Sequence, residues 1–207
     1  MNSQTLYKIG GSLLDWPEFP SRLRLILQSD TQAVLMTGGG AAADAVRGWD
    51  RVFPLGEETA HDLALHSLTL TARLLTRLLP QIELASTPAQ LSEILACKRT
   101  PVLLVHDWVS RLEPAARIPL RHDWQTTSDS VALWLAFHLQ IPRLVLVKST
   151  DTEVGQTPES AAEADLIDME FPRLFRQIQH TGEPLTTEWI NLRSESAPFL
   201  PSPVAWV

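Results

Sequence analysis

The sequence predicts an α/β protein, a three-layer αβα sandwich built around a mostly parallel central sheet. Four short, largely apolar runs indicate strands, at residues 6–9, 33–36, 102–105 and 144–147. The runs are continuous rather than alternating, which is typical of parallel strands that are covered on both faces. Helical patterns separate the runs, and strands that alternate with helices form right-handed crossovers in such a sheet.

Helices are predicted at about residues 18–28, 57–79, 128–139 and 171–179. The third helix is apolar nearly all round from Val131 onward, so we expect it to be buried. Thr127, Ser128 and Asp129 suit its N-terminus. Asp129 is therefore an ordinary helix-end residue in one interpretation, and the partner of a buried cation in another.

Size and composition predict one domain with a full apolar core. The chain has 207 residues, of which 44% are hydrophobic and 20% are charged, as in a folded protein. Its formal net charge of -7 argues against nucleic acid as the main partner. Its apolar runs are shorter than the roughly 18 residues of a membrane span, and its first residues lack a signal-peptide pattern. We therefore expect a cytoplasmic protein that does not bind membranes.

The sequence contains no clear metal-binding or hydrolase motif. Its one cysteine, Cys97, excludes an intrachain disulfide. His61 and His66 do not share a helix face well, so a two-histidine metal pair is not expected. His106 and His122 each precede an aspartate, and these pairs are interpreted as polar turns, with substrate contact as the alternative.

Two glycine-rich turns follow the first two predicted strands. Gly10 and Gly11 come after the first strand, and Gly38, Gly39 and Gly40 come after the second. Ligands of open α/β sheets bind beyond the carboxyl ends of the strands, where glycines let backbone N–H groups approach an anion. Glycines also simply form turns, but two such turns at equivalent strand ends favour a ligand role, with two phosphates or a phosphate and a carboxylate as the bound groups. Neither turn has the spacing of a P-loop or a dinucleotide fingerprint.

Lysine is rare in this chain, so the position of each lysine is informative. Only Lys8, Lys98 and Lys148 are lysines, among 17 basic residues. Lys8 precedes the first glycine turn within a predicted strand, where a buried ammonium group needs an anionic partner. The alternative is an edge-strand lysine that reaches solvent. Lys148 ends the last clear strand, and Ser149 and Asp151 follow it.

Taken in this order, the motifs resemble those of the amino-acid kinase family, which includes acetylglutamate, aspartate, uridylate and isopentenyl phosphate kinases. The resemblance covers residues 6–151. It is carried by Lys8-Ile9-Gly10-Gly11-Ser12, Gly38-Gly39-Gly40, Ser128-Asp129-Ser130 and Lys148-Ser149-Thr150-Asp151. It implies the carbamate-kinase-like fold of that family, with ATP and Mg²⁺ as cofactors and phosphoryl transfer to a small-molecule acceptor.

The resemblance also implies a role for each matched residue. Lys8 would stabilise the transferring phosphoryl group, Asp129 would orient that lysine, and Lys148 would complete the catalytic set. The acceptor and phosphates would be bound by Gly10, Gly11, Ser12, Gly38, Gly39, Gly40 and Ser128. The nucleotide would be faced by Lys148, Ser149 and Asp151, and no protein-bound metal is implied.

Within the family, the sequence looks most similar to the branch of aminomethylfuran phosphate kinase. This resemblance is carried by Ala60-His61-Asp62, Thr127-Ser128-Asp129-Ser130 and Trp189-Ile190-Asn191. It implies an amine-bearing phosphomonoester as the acceptor, in methanofuran- or tetrahydromethanopterin-linked one-carbon metabolism. It also implies a homodimer or higher homo-oligomer, paired through the long second helix.

The chain departs from the family pattern in its last quarter. Thr152 stands where the family has glycine, and no lysine follows Lys148. We therefore predict a single domain of residues 1–207 with an acceptor-binding and catalytic part at 1–148. A shortened nucleotide-binding part would occupy about 149–207. The alternative is a non-catalytic ligand-binding or assembly protein on the same fold.

Overall fold

In the described part of the chain, the central sheet has seven strands, six of them parallel. The computed structural model describes residues 4–153, 155–195, 202–203 and 206. The strands are β1 (Thr5–Ile9), β2 (Ala33–Thr37), β3 (Ile82–Ala85), β4 (Thr100–Leu103), β5 (Arg143–Lys148), β6 (Thr186–Asn191) and β7 (Ser202–Pro203). They lie in the order β3-β4-β2-β1-β5-β6-β7, with β7 antiparallel to β6. The expected mostly parallel sheet is confirmed.

β1 lies at the centre of the sheet, between β2 and β5. In its register, Lys8 is opposite Met36 of β2 and Leu146 of β5. Because the three strands are parallel, their carboxyl ends meet at one edge of the sheet. The two glycine turns and Lys148 therefore lie at the same edge.

Helices cover both faces of the sheet, which confirms the three-layer arrangement. They are α1 (Phe19–Ser29), α2 (Ala41–Val52), α3 (Glu57–Leu78), α4 (Pro88–Ala96), α5 (Val105–Leu112), α6 (Ser128–His138), α7 (Pro158–Glu163) and α8 (Phe171–Gln179). One face packs against α1 and the C-terminal half of α3. The other face packs against α4, α5, α6, α7 and α8.

α6 is buried on all sides, as its sequence predicts. Every residue from Asp129 to Phe137 is buried, and the helix packs against β1 and β5. The indole of Trp134 donates a hydrogen bond to the Ile118 carbonyl at 2.6 Å. α6 has only 11 residues. Among the described residues, no helix is both long and apolar enough to cross a lipid bilayer.

The strand expected at residues 102–105 lies two residues earlier, as β4, because Val105 begins α5 instead of ending the strand. Trp108 of α5 is fully buried, and its indole donates to the Ala85 carbonyl at 2.8 Å. This tryptophan therefore belongs to the core, and α5 packs where the sequence suggested a loop. α2, α4, α7, β3 and β6 were likewise not predicted from the sequence.

Candidate functional site

Lys8 of β1 and Lys148 of β5 lie on the same face of the sheet. Side chains alternate between the two faces of a strand, and Leu6 and Leu146 pack in the core on the α6 side. Lys8 follows Leu6 by two residues and Lys148 follows Leu146 by two residues, so both lysines share that side. In the strand register, Lys148 lies one strand across from Lys8 and two residues further along. Both ammonium groups therefore approach the N-terminus of α6.

Asp129, in the first turn of α6, bridges the two lysines. Its Oδ1 lies 2.7 Å from Lys8 Nζ, and its Oδ2 accepts a hydrogen bond from Lys148 Nζ at 2.7 Å. The side chains of Lys8 and Asp129 are only 4% and 7% exposed. Burial alone would raise the pKa of Asp129, but the charges of Lys148 and Lys8 outweigh it and lower that pKa to about 2. One ionised carboxylate thus faces two buried lysines.

Lys148 has further partners on its other side. Its ammonium group donates to the Leu166 carbonyl at 2.8 Å and lies 5.6 Å from the centre of the Trp189 ring. Burial lowers the pKa of Lys148 to about 8, and the nearby charge of Lys8 acts in the same direction, against the opposing effect of Asp129. Lys148 is therefore mainly protonated at neutral pH and loses its proton in mildly alkaline solution.

Asp168 holds the N-terminus of α6 from a distant part of the chain. Its Oδ2 accepts hydrogen bonds from the backbone N–H groups of Thr127 and Ser130 at 3.0 and 2.9 Å, and from the Thr127 hydroxyl at 2.9 Å. Its Oδ1 accepts from the Ser130 hydroxyl and from the Phe171 N–H at the start of α8. Burial and the Asp129 carboxylate raise the pKa of Asp168. The carboxylate of Asp168, and not the Thr127 side chain, therefore caps α6.

The two glycine turns touch each other at the carboxyl edge of the sheet. A Cβ added to Gly11 would collide with the backbone N of Gly40 and would lie 2.6 Å from its Cα. Gly40 has a φ of 51° and a ψ of -141°, a combination that residues with side chains rarely adopt. A Cβ on Gly38 would lie 2.9 Å from the Gly11 N and 3.1 Å from Ser128 Oγ. The close approach of these turns therefore requires a residue without a side chain at positions 11 and 40.

The predicted glycine donors fall into two groups. The N–H of Gly10 donates to the Val147 carbonyl at 2.7 Å, and that of Gly38 donates to the Ile9 carbonyl at 2.8 Å. These two N–H groups continue the hydrogen-bond ladder of the sheet, so they are not available to a ligand. The structure places no acceptor from its described residues against the N–H groups of Gly11, Gly39 and Gly40. These three N–H groups remain available to a ligand.

A pocket of about 150 Å³ lies over the glycine turns. Its walls come from α2, α3, the start of α6 and the loop before it. They are formed by Gly11, Gly39, Gly40, Ala43, Asp44, Arg47, His61, Ala64, Leu65, Leu68, Trp124, Thr126, Thr127, Ser128 and Val131. This volume is below the range of about 300–1,000 Å³ that is usual for drug-sized ligands, so the pocket suits a small molecule or one part of a larger one.

Trp124, Arg47 and Asp44 form a polar rim on this pocket. The Arg47 guanidinium lies 5.0 Å from the centre of the Trp124 ring and 2.9 Å from Asp44 Oδ1. The Trp124 indole donates to Asp50 Oδ2 at 2.7 Å, which fixes the orientation of the ring. The rim therefore offers an aromatic surface, one cation and one anion.

His61 is the buried polar group in the pocket wall. It is 7% exposed, and its Nε2 has no hydrogen-bond partner among the described residues. Its ring stacks on His122 with 4.4 Å between the ring centres. Burial and the adjacent His122 lower the pKa of His61 to about 4. His61 is therefore a neutral imidazole at neutral pH.

The pKa of His122 is raised, whereas that of His61 is lowered, because His122 lies between two carboxylates. Its Nδ1 lies 2.6 Å from Glu58 Oε2, and its Nε2 lies 2.6 Å from Glu113 Oε1. Burial opposes its protonation, but hydrogen bonds with Glu58 and Glu113 raise the pKa of His122 above its ordinary value. The expected polar turn at His122 is thus an ordered link between the loop and the start of α3.

The remaining predicted residues lie on the far side of the glycine turns from this pocket. Ser12 Oγ and Ser149 Oγ are 3.0 Å apart, and Arg193 donates to the Ser12 carbonyl at 3.1 Å. These contacts join the first glycine turn to the loop after β5. Asp151 is exposed and lies outside this network. The structure thus brings Ser12 and Ser149 together and leaves Asp151 apart.

The sheet order and the helices on both faces define a fold that solved structures of known kinases share. No protein-family model matches the chain, and no curated protein matches its sequence. Uridylate kinase from Archaeoglobus fulgidus has a similar structure, with a TM-score of 0.59 and 16% identity. The match covers 90% of this chain and 89% of that one.

Two bacterial enzymes are similar to the same extent. UMP kinase from Bacillus anthracis aligns with a TM-score of 0.62 and 10% identity, over 93% of this chain and 88% of that one. UMP kinase from Ureaplasma parvum aligns with a TM-score of 0.60 and 10% identity, over 94% and 92%. The chain therefore has the α/β fold of the UMP kinases, which is the amino-acid kinase fold. These structures give no support to the aminomethylfuran phosphate kinase branch in particular.

Proposed function

We propose that this protein is an ATP-dependent phosphotransferase that acts on a small acceptor bound over the glycine turns. The observation that carries the proposal is the cluster of Lys8, Asp129 and Lys148. Two lysine side chains share the Asp129 carboxylate, and the next carboxylate, Asp168, is engaged by the N-terminus of α6. Ammonium groups that are largely removed from water are stabilised by a further anion. A phosphoryl group in transfer would supply that anion, and its developing charge is what a kinase must stabilise.

The assignment of roles follows from position. Lys8 would contact the transferring phosphoryl group, and Asp129 would hold both lysines in place. Lys148 would face the nucleotide, together with Ser149 and Asp151. The phosphates and acceptor would be held by the available N–H groups and nearby hydroxyls, at Gly11, Ser12, Gly39, Gly40 and Ser128, with Gly10 and Gly38 shaping the turns. In this proposal residues 1–148 bind the acceptor and residues 149–207 bind the nucleotide.

ATP would enter as its magnesium complex. The donor set fits phosphates, because three backbone N–H groups and two lysines converge on one edge of the sheet. Mg²⁺ bound to the phosphates neutralises part of their charge and is usually held with few protein ligands. We assign no protein ligand to it.

For the acceptor we propose a phosphomonoester that becomes a diphosphate. Aminomethylfuran phosphate is the candidate that the sequence resemblance implies, and UMP is the candidate that the similar structures imply. The pocket rim suits a ring-bearing molecule, since Trp124 offers an aromatic surface and Arg47 a cation. Asp44 beside Arg47 could pair with an amine. A primary amine on the acceptor would distinguish the first candidate from the second.

A non-catalytic ligand-binding protein on the same fold is the second candidate. The observation that favours it is the engagement of Lys148, whose ammonium group already contacts Asp129 and the Leu166 carbonyl. A lysine with two protein partners is less available to a nucleotide phosphate. Such a protein would bind a ligand over the glycine turns without turning it over.

The test is ADP release from Mg·ATP in the presence of phosphomonoester acceptors, with the Lys8→Met and Lys98→Met variants compared. Lys98 is the exposed third lysine and lies at the end of α4. We expect acceptor-dependent turnover in wild type and Lys98→Met, and a loss of at least about 100-fold in Lys8→Met, as when one electrostatic stabiliser is removed from an active site.

A thermal-shift titration with Mg·ATP separates the two candidates, because a ligand that binds the native state raises Tm by mass action. A shift that Lys8→Met abolishes, without turnover of any acceptor, would favour the binding protein. No shift and no turnover in the folded wild type would refute both nucleotide proposals.

We also propose that the exposed face of α3 pairs two copies of the chain. Leu70, Leu74 and Leu78 repeat every four residues on that face and are 62%, 41% and 37% exposed. A row of exposed leucines on one helix face is typical of a subunit interface. Sedimentation of wild type and Leu74→Lys tests this proposal: a dimer that becomes a monomer supports it, and a monomeric wild type contradicts it.

A further inference from the structure

A cluster of metal-binding side chains lies on the outer surface where α3 meets α5. Asp62 and His66 are one helical turn apart on α3, and His106 lies in the first turn of α5. His106 Nε2 lies 3.0 Å from Asp62 Oδ1, and His66 Nε2 lies 3.8 Å from Asp62 Oδ2. All three potential ligand atoms lie within 4.8 Å of one another. Sequence spacing alone does not predict this group, because His106 joins Asp62 and His66 only through the fold.

The distances in the cluster are close to those of a bound metal. Zinc–nitrogen and zinc–oxygen bonds of about 2.0–2.1 Å in a tetrahedron separate neighbouring ligand atoms by about 3.3 Å. The two aspartate–histidine distances lie on either side of that value. The side chains of Asp62 and His66 are 56% and 54% exposed, so rotations about their side-chain bonds can bring the ligand atoms to metal-binding distances. An ion would reach the cluster directly from solvent.

Two further contacts hold the imidazole rings near Asp62. The rings of His66 and His106 stack with 3.9 Å between their centres and 19° between their planes. Because the lone pairs of stacked rings run nearly parallel, the exposed His66 ring must rotate for both Nε2 atoms to point at one ion. The other ring nitrogen of His106, Nδ1, lies 3.6 Å from Asp107 Oδ1. A carboxylate near the non-ligating nitrogen is the usual outer partner of a metal-binding histidine.

We propose that Asp62, His66 and His106 bind a divalent transition-metal ion, Zn²⁺ foremost. Two imidazoles and one carboxylate suit Zn²⁺, Ni²⁺ or Cu²⁺, whereas Mg²⁺ and Ca²⁺ prefer oxygen ligands throughout. Three protein ligands leave one tetrahedral position for water. The ion joins α3 to α5 and is distinct from the magnesium that accompanies a nucleotide.

A metal ion bound at Asp62 would also affect the pocket over the glycine turns. Asp62 directly follows His61, which forms part of the pocket wall. Fixing Asp62 to α5 restrains the first turns of α3 and with them His61. Metal binding should therefore make the first turns of α3 more protected from amide hydrogen exchange, without any nucleotide present.

The test is isothermal titration of tag-free, chelator-treated full-length protein with ZnCl₂ alone, and cobalt absorption with CoCl₂ as the second readout. We expect one ion per chain, with a Kd at or below about 10 µM. Each of Asp62→Asn, His66→Gln and His106→Gln should weaken binding at least about tenfold. His180→Gln is the matched control, because His180 is an exposed histidine at the end of α8.

The three substitutions are at the surface, and the Tm of each variant in the chelator checks that it folds as wild type does. Unchanged binding in His180→Gln with weaker binding in all three ligand variants supports the site. Zinc that binds all variants equally is an adventitious ion only, and overturns the proposal. No heat and no cobalt absorption at about 100 µM metal also overturn it.

Discussion

Replacing Asp129 by asparagine removes the one carboxylate that Lys8 and Lys148 share, while the side chain keeps nearly the same size and shape. The asparagine carbonyl can still accept from one lysine, but its NH₂ group then faces the other ammonium group. The Lys8 side chain is buried, at 4% exposed, and the Lys148 side chain is partly buried, at 14% exposed. Removing one partner of a buried ion pair costs about 3–5 kcal/mol. We expect Asp129→Asn to lose that much stability near neutral pH.

The pKa of Asp129 gives an independent value for the same interaction. It falls from its ordinary 3.8 to about 2, which corresponds to about 2 kcal/mol of stability at neutral pH. Because the folded-state pKa is the lower one, this stability is present above about pH 5 and is lost as pH falls toward 2. Asp129→Asn should lack this acid-dependent part of the stability curve.

Urea denaturation of wild type and variants measures both effects. Asp15→Asn makes the same chemical change at an exposed aspartate and should cost less than about 0.5 kcal/mol. Adding Lys148→Met to Asp129→Asn removes one unpaired charge, so the double variant should regain about 1 kcal/mol or more. A cost below about 1 kcal/mol for Asp129→Asn, or strict additivity in the double variant, would refute the shared-carboxylate interpretation.

Three more predictions follow from the site. Gly11→Ala should cost about 1–3 kcal/mol in urea denaturation because its Cβ meets Gly40, whereas Gly48→Ala, in open space on α2, should stabilise by about 0.5–1 kcal/mol. Burial lowers the pKa of His61 to about 4, so the free energy of unfolding should fall between pH 6.5 and 4 by roughly 3 kcal/mol more in wild type than in His61→Gln. An equal fall in both proteins would contradict this prediction. Turnover that depends on the charge of Lys148 should decline above about pH 8, and a flat alkaline profile would exclude that dependence.

The strands nearest the site could be predicted from the sequence because their signal is local. β1, β2 and β5 are largely apolar runs, and the glycines that follow β1 and β2 mark the carboxyl ends of those two strands. The lysines were informative for the same reason, since an ammonium group inside such a run needs a partner. Their pairing with Asp129 follows once the three elements are adjacent. The roles of these residues in catalysis stay a prediction.

The elements that the sequence did not reveal have weak local patterns or depend on the fold. α2 begins with three alanines and has only Ala43 and Val46 buried, so it lacks a wide apolar stripe. β3 is four residues long and partly exposed. Asp168 accepts a hydrogen bond from the N–H of Ser130, which lies 38 residues earlier in the chain. No local spacing in the sequence connects such a pair. The His66–His106 contact likewise needs two helices to meet.

The position of the two lysines depends on strand pairing and not on any loop. Lys8 and Lys148 occupy adjacent parallel strands, which lie about 4.8 Å apart in every β-sheet. Loops around the site can therefore change in length and sequence without altering the distance between the two charges. The α/β fold that sets this distance is shared with solved structures of only 10–16% identity, so the fold does not depend on close sequence similarity. The dependence on strand pairing also means that a one-residue register shift of β5 would turn Lys148 to the opposite face, where α1 packs, and would remove it from the site entirely.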